Sequence, residues 1–177
     1  MNQSKKIDVL ISEEQIRSRI SALATEIKQR FANEPEPIVL IGILKGSVIF
    51  LADLCRALDR PVHLEFMGVS SYGDATVTSG VVRITQDLTA TIKGRNVVIV
   101  EDIVDTGLTI KYLLQMLKTR DPKSLSVCAL VEKPSKSKGE VPIDFLGFSI
   151  PDQFIIGYGL DYAELYRNLP YIGVMGD

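Results

Sequence analysis

The sequence predicts an α/β protein with a mainly parallel, twisted sheet flanked by helices. Two observations carry that reading. Ile38-Val39-Leu40-Ile41-Gly42-Ile43 and Val97-Val98-Ile99-Val100 are uninterrupted apolar runs, the pattern of strands covered on both faces rather than of a half-exposed sheet. These and weaker strand-like runs alternate with stretches whose apolar residues recur at helical spacing, the order that builds parallel sheets. With 177 residues, no internal repeat and no linker-like stretch, the chain is expected to form one domain over 1–177.

The elements follow in order. Ser12-Glu13-Glu14-Gln15 is a capping box, with the Ser12 hydroxyl accepting from a helix-start N–H and Gln15 reaching back. Ile16, Ile20, Leu23, Ala24 and Ile27 mark the inward face, and the helix ends near Phe31, ahead of Asn33-Glu34-Pro35-Glu36-Pro37. The buried strand over 38–43 leads to a helix over 47–58, with Val48, Leu51, Ala52, Cys55 and Leu58 inward. A strand over 62–69 is followed by a polar stretch over 70–80, and strand character resumes over 81–84. Residues 92–95 read as a turn before the strand over 97–100. After Glu101-Asp102 and a short loop, 109–119 is an amphipathic helix with Leu113, Leu114 and Leu117 inward. A strand over 125–131, a basic Ser-rich loop over 133–140, and short strand-like pieces at 145–150 and 154–157 complete the chain.

Composition removes several functions. Twenty basic against 22 acidic side chains give a net charge of −2, so the basic excess of a general nucleic-acid surface is missing. The only histidine is His63, and Cys55 and Cys128 stand far apart without a Cys-x-x-Cys pattern. That excludes a structural zinc motif and predicts two reduced core thiols in a cytosolic protein. The longest uncharged apolar stretch, 37–44, is too short to cross a bilayer, and no signal-peptide block follows Met1. A cytoplasmic protein without a membrane partner is expected.

In a parallel sheet, ligands bind beyond the C-terminal ends of the strands. There, Val97-Val98-Ile99-Val100-Glu101-Asp102-Ile103-Val104-Asp105-Thr106-Gly107-Leu108-Thr109 is the most informative segment. Two adjacent carboxylates close a buried strand, where mutual repulsion is costly without a cation or hydroxyl partner. Loop amides, a glycine and hydroxyls then run into a helix start, the makings of a phosphate cradle. The bland alternative is that Asp105 or Thr106 merely caps the helix and the acids face solvent. Neither GxGxxG nor GxxxxGK[ST] is present, so the dinucleotide and P-loop fingerprints are missing.

This segment resembles the phosphoribosyl-diphosphate signature of the type I phosphoribosyltransferases. Further matches narrow the resemblance to the hypoxanthine and hypoxanthine-guanine branch, bacterial type. They are Leu44-Lys45-Gly46-Ser47, Ser71-Tyr72, Val131-Glu132-Lys133-Pro134, and Phe154-Ile155-Ile156-Gly157-Tyr158-Gly159-Leu160-Asp161-Tyr162 with Arg167 after it. The resemblance runs from about Ile7 to Gly173. It implies the type I fold with a small hood formed by terminal segments, purine salvage activity, and a homo-oligomer, dimer or tetramer. It also implies a cis bond between Leu44 and Lys45 and a mobile lid over 70–80.

The resemblance further implies a role for each matching residue. Glu101 and Asp102 hold the ribose hydroxyls and Mg²⁺, and Asp161 reaches a second Mg²⁺ through water. Asp105 accepts the purine N7 proton. Thr106, Gly107, Leu108 and Thr109 bind the 5′-phosphate, while Lys45, Gly46 and Arg167 meet the pyrophosphate. Ser71 and Tyr72 cover the reacting centre. Lys133 donates to the purine O6, Phe154 stacks on the ring, and the backbone at Ile155 and Asp161 addresses the 2-position. The implied partners are phosphoribosyl diphosphate and 6-oxopurine bases. Each residue has an ordinary alternative: Lys133 a solvated lysine, Phe154 a core side chain, Arg167 a surface ion pair. As functions, a nucleotide-sensing regulator on the same fold and a phosphoribosyltransferase for xanthine or a pyrimidine stand beside the salvage reading.

Overall fold

The structure is a computed structural model that describes residues 6–71, 82–137, 139 and 141–176. Its main sheet has six strands in the order β4-β3-β2-β5-β6-β7. These are β2 (Ile38–Leu44), β3 (Val62–Ser71), β4 (Val82–Gln86), β5 (Asn96–Val104), β6 (Ser124–Glu132) and β7 (Phe145–Ser149). Only β4 runs antiparallel to its neighbour; β3, β2, β5, β6 and β7 are parallel. The helices are α1 (Glu13–Arg30), α2 (Val48–Leu58), α3 (Leu108–Lys118) and the single turn α4 (Pro134–Ser137). The mainly parallel α/β architecture expected from the sequence is therefore observed.

Side-chain alternation along the strands feeds one core on each face of the sheet. Val98 and Val100 of β5 pack with Leu40, Leu130 and the inward residues of α1 and α2. Val97 and Ile99 pack on the other face with Ile41, Val127 and Ile110, Leu113 and Leu117 of α3. The expected α1 face and the capping box at Ser12 and Gln15 both form.

Several local expectations are corrected. The buried face of α2 is Phe50, Leu51, Leu54 and Leu58, whereas Val48 and Ala52 are exposed and Cys55 is half-buried. Nearly every residue of this helix is apolar, so no polar stripe fixed its rotation. On α3, Ile110 is buried and Leu114 only partly so. Of the two free cysteines, only Cys128 lies in the core. β5 does not stop at Val100 but carries Glu101 and Asp102 within it. The basic loop after Lys133 contains α4, started by a proline whose missing N–H costs nothing in the first turn.

A second sheet, ordered β1-β9-β8, joins the two ends of the chain: β1 (Ile7–Ile11), β8 (Ile155–Ile156) and β9 (Ile172–Met175). All its pairings are antiparallel. It is the hood that the resemblance implied. β1 and β9 have no alternating pattern long enough to mark them as strands, because their partners are distant in sequence. Among the described residues, no helix is long and apolar enough to cross a membrane.

Candidate active site

The chain order explains where a site must lie. From β2 the chain builds outward through β3 and β4, then returns to the other side of β2 to lay down β5, β6 and β7. The C-terminal ends of β2 and β5 thus flank a topological switch point, where the crevice of an open α/β sheet forms. Lys45 and Gly46 follow β2 there, and Glu101, Asp102 and Asp105 come from β5 and its loop. The Leu44–Lys45 peptide bond is cis.

The two consecutive acids project to opposite faces of β5, as strand geometry requires. Asp102 lies against the Lys45-Gly46 loop so closely that a Cβ on Gly46 would sit 1.7 Å from its Oδ2. Gly159 covers the other side of that loop, where a Cβ would meet the Gly46 carbonyl oxygen at 2.0 Å. Asp102, Gly46 and Gly159 therefore form a stack that tolerates no added carbon. Burial pushes the Asp102 carboxyl up to about 6; its own backbone amide, that of Ile103 and the Arg167 charge oppose this, while Asp161 adds to it. Glu101 is buried and its Oε2 has no hydrogen-bond partner. Desolvation first, and the neighbouring Asp102 second, raise its carboxyl well above the usual range.

The hood supplies the opposite wall. Arg167 donates to the Gly159 carbonyl at 2.7 Å and pairs with Asp161 at 2.8 Å. Asp161 also accepts from the Glu164 amide at 2.9 Å. Glu164 reaches Lys45 at 2.8 Å, closing a ring of charge over the loop. Arg167 is thus tied into the site rather than paired on an open surface.

At the helix start, Asp105 is not the cap, and Thr106 makes one long bond to the first turn. The N-cap of α3 is Gly107, in the left-handed region at φ 79°, and no side chain caps it. Only Thr106 approaches, its Oγ1 lying 3.5 Å from the Leu108 amide. Among the described residues, Asp105 makes no capping bond, and its Oδ1 is a buried atom without a hydrogen-bond partner. Among the described residues, the amides of 107 and 109 at the positive end of α3 meet no acceptor and that of 108 only the Thr106 hydroxyl at 3.5 Å, as an anion-binding helix start requires. Leu108 is exposed and Thr109 half-buried.

Lys133 is only 7% exposed, which removes the solvated-lysine alternative. Its amide donates to Val104 at 3.0 Å, extending the ladder between β6 and β5. Phe154 is 56% exposed, so it is not a core side chain; it meets Tyr162 edge to face at 5.7 Å. Ile155 is buried within the hood strand β8. Tyr72 and nearly all of the expected lid over 70–80 lie outside the described residues, and of Ser71 only its backbone in β3 is described. His63 is exposed on β3, away from these groups.

Three residues that the sequence did not single out pair with the candidate residues: Glu164 with Lys45, Asp152 with Lys133, and Lys136 with Asp105 and Asp152. Asp152 lies just beyond β7, so its position at the end of a parallel strand was the available signal. Lys136 gave none beyond membership of a basic loop.

The donor set fits a hard cation. Glu101, Asp102 and Asp161 offer oxygens only, and Glu101 carries a buried acceptor with no partner. Among the described residues no three His, Cys, Asp or Glu side chains form a metal cage, so substrate oxygens and water must complete any such shell.

An α/β sheet with acids and an open helix start at its switch point is the arrangement that receives a phosphorylated, anionic ligand. The family model of the phosphoribosyl transferase domain matches residues 12–163. The hypoxanthine phosphoribosyltransferase of Salmonella typhimurium is 46% identical over 167 residues, covering 94% of each chain. The hypoxanthine-guanine phosphoribosyltransferase of Bacillus subtilis is 47% identical over 167 residues, 94% of this chain and 92% of that one. A crystal structure of a hypoxanthine-guanine phosphoribosyltransferase from Bacillus anthracis superposes with a TM-score of 0.90 at 44% identity, covering 98% of this chain and 100% of that one. The chain belongs to the phosphoribosyltransferase family, in its hypoxanthine and hypoxanthine-guanine branch.

Proposed function

We propose that this chain is a purine salvage enzyme that transfers the 5-phosphoribosyl group of phosphoribosyl diphosphate to hypoxanthine, guanine or both, releasing pyrophosphate. The observation that carries this reading is a buried lysine, Lys133, and an acid that caps no helix, Asp105, just beyond the adjacent strands β6 and β5 and linked through Asp152 and Lys136, with the exposed Phe154 two residues after Asp152. It works as a single domain over 1–177, in the cytoplasm, as a dimer or tetramer.

The residues divide the work. The amides and hydroxyls of Thr106, Gly107, Leu108 and Thr109 take the 5′-phosphate. Lys45, Gly46 and Arg167 face the pyrophosphate, where charge builds as the bond to C1′ breaks. Glu101 and Asp102 address the ribose hydroxyls. These two and Asp161 would hold Mg²⁺, which supplies a hard counter-charge to the pyrophosphate. Lys133 donates to O6 and Phe154 stacks on the base, while the backbone at Ile155 and Asp161 addresses position 2. Ser71 and Tyr72 cover the reacting centre. As N9 attacks C1′, the N7 proton becomes acidic, and Asp105 accepts it when that charge develops.

Steady-state rates with hypoxanthine, guanine, xanthine, adenine and uracil test the reading. Turnover of one or both 6-oxopurines is expected. Turnover only of xanthine or uracil would reassign the base, and turnover of none would favour a nucleotide-sensing regulator.

The stack at Gly46 gives a second test. In Gly46→Ala the new carbon would lie 1.7 Å from Asp102 Oδ2, so loop and carboxylate must separate. Displacements of about 1 Å near reacting atoms cost on the order of 10²-fold. The KM for phosphoribosyl diphosphate should rise and kcat fall, to a combined loss of about that size. Kinetics like those of the unsubstituted protein would mean that the loop does not touch the pyrophosphate.

A further inference from the structure

We propose that Lys136 and Asp152 are positioning residues that hold Asp105 and Lys133 apart and aimed at neighbouring atoms of the base. The inference rests on the roles proposed for Asp105 and Lys133.

Lys133 and Asp105 carry opposite charges just beyond the adjacent strands β6 and β5, where a direct ion pair is the obvious electrostatic outcome. Among the described residues they form none with each other. Instead, Lys133 Nζ lies 3.5 Å from Asp152 Oδ1. Lys136 Nζ lies 3.0 Å from the same oxygen and 3.7 Å from Asp105 Oδ1. The result is an alternating chain, Lys133 to Asp152 to Lys136 to Asp105. At 3.7 Å Lys136 balances the Asp105 charge at the buried Oδ1, which has no hydrogen-bond partner among the described residues. The rest of the side chain, 43% exposed, stays open to a ligand.

The relay has a fixed frame. The amides of Lys136 and Ser137 both donate to the Lys133 carbonyl at 3.0 Å. Ser137 Oγ donates to Glu132 at 2.7 Å, and the Ile150 amide donates to the Glu132 carbonyl at 3.0 Å. Glu132 thus ties α4, which carries Lys136, to the end of β7, which leads to Asp152. Both relay groups stay charged: Asp152 first, and Asp105 second, raise Lys136 above the ordinary lysine range, while Lys136 holds Asp152 below the carboxylate range.

Base chemistry explains the need. O6 and N7 of a 6-oxopurine are neighbours on one edge, so a donor for O6 and an acceptor for N7–H must stand side by side without neutralising each other. Asp152 and Lys136 take up the surplus charge of each. Both are partly exposed, at 45% and 40% of their side chains, and exposed pairs contribute little to folding. The positioning role is therefore separable from stability.

The experiment compares K136A, K136R, D105N and D105N/K136A for kcat/KM with hypoxanthine, KM for phosphoribosyl diphosphate, and Tm. K136A is expected to lose about 10- to 100-fold in kcat/KM, on the order of a small misplacement of a reacting group. The KM for phosphoribosyl diphosphate and the Tm should stay near wild type, K136R should recover most of the loss, and the double variant should be no slower than D105N, since effects routed through one group do not multiply. A wild-type kcat/KM in K136A beside a slow D105N overturns the relay alone. So does a K136A loss that multiplies in full onto D105N, or one that tracks a fall in Tm. A wild-type rate in D105N itself removes the Asp105 assignment, and the relay with it.

Discussion

Asp105→Asn is expected to lower turnover by about 10²–10⁴-fold, the usual contribution of a positioned general acid or base, while phosphoribosyl-diphosphate binding and fold persist. The substitution keeps shape and removes basicity. Asparagine retains an acceptor oxygen, and the one structural duty that it could have inherited is absent, because α3 starts at Gly107 with no side-chain cap. The change weakens the 3.7 Å pairing with a partly exposed Lys136, which is worth little to folding. Stability should therefore stay within about 0.5 kcal/mol of the starting protein, as for surface changes that break no special feature. Pre-steady-state rates with hypoxanthine, together with an equilibrium measurement of phosphoribosyl-diphosphate binding, separate chemistry from binding. Turnover within a few-fold of wild type would return Asp105 to an ordinary loop acid.

The fold was legible where the chain is most apolar. Val97 to Val100 could only be a strand covered on both faces, and Ser12 to Gln15 could only begin a helix. What was not legible depends on distant partners. β1 and β9 are strands because Ile7 pairs with Met175 across the whole chain, and no local pattern encodes that pairing. The rotation of α2 was hidden for the opposite reason: apolar residues surround it, so only the sheet decides that Phe50 and Leu54 face inward. At the site, the contiguous motif from Glu101 to Thr109 was readable because its carboxylates and glycine are neighbours in sequence. Asp152, Lys136 and Glu164 were not, since each gains meaning only from an ion pair made across the fold.

The largest discrimination should be against adenine. Lys133 is buried and offers three donors and no acceptor. A 6-oxopurine presents a carbonyl to it, whereas adenine presents an amino group, so two donors would face each other. Sites built on such pairing reject the mismatched ligand by about 10⁴-fold or more, and adenine should fall below hypoxanthine in kcat/KM by that order. Lys133→Ala should remove the preference from the other side. A hydrogen bond to a charged group contributes roughly 1.5–3 kcal/mol, so hypoxanthine and guanine should lose on the order of 10- to 100-fold in kcat/KM while adenine changes little. Asp152 keeps Lys136 at 3.0 Å after the change, so no carboxylate is orphaned, and the KM for phosphoribosyl diphosphate should hardly move. If Lys133→Ala kept the original kcat/KM for both oxopurines, the buried ammonium would have no part in reading the base, and the exclusion of adenine would have to come from the backbone of the hood.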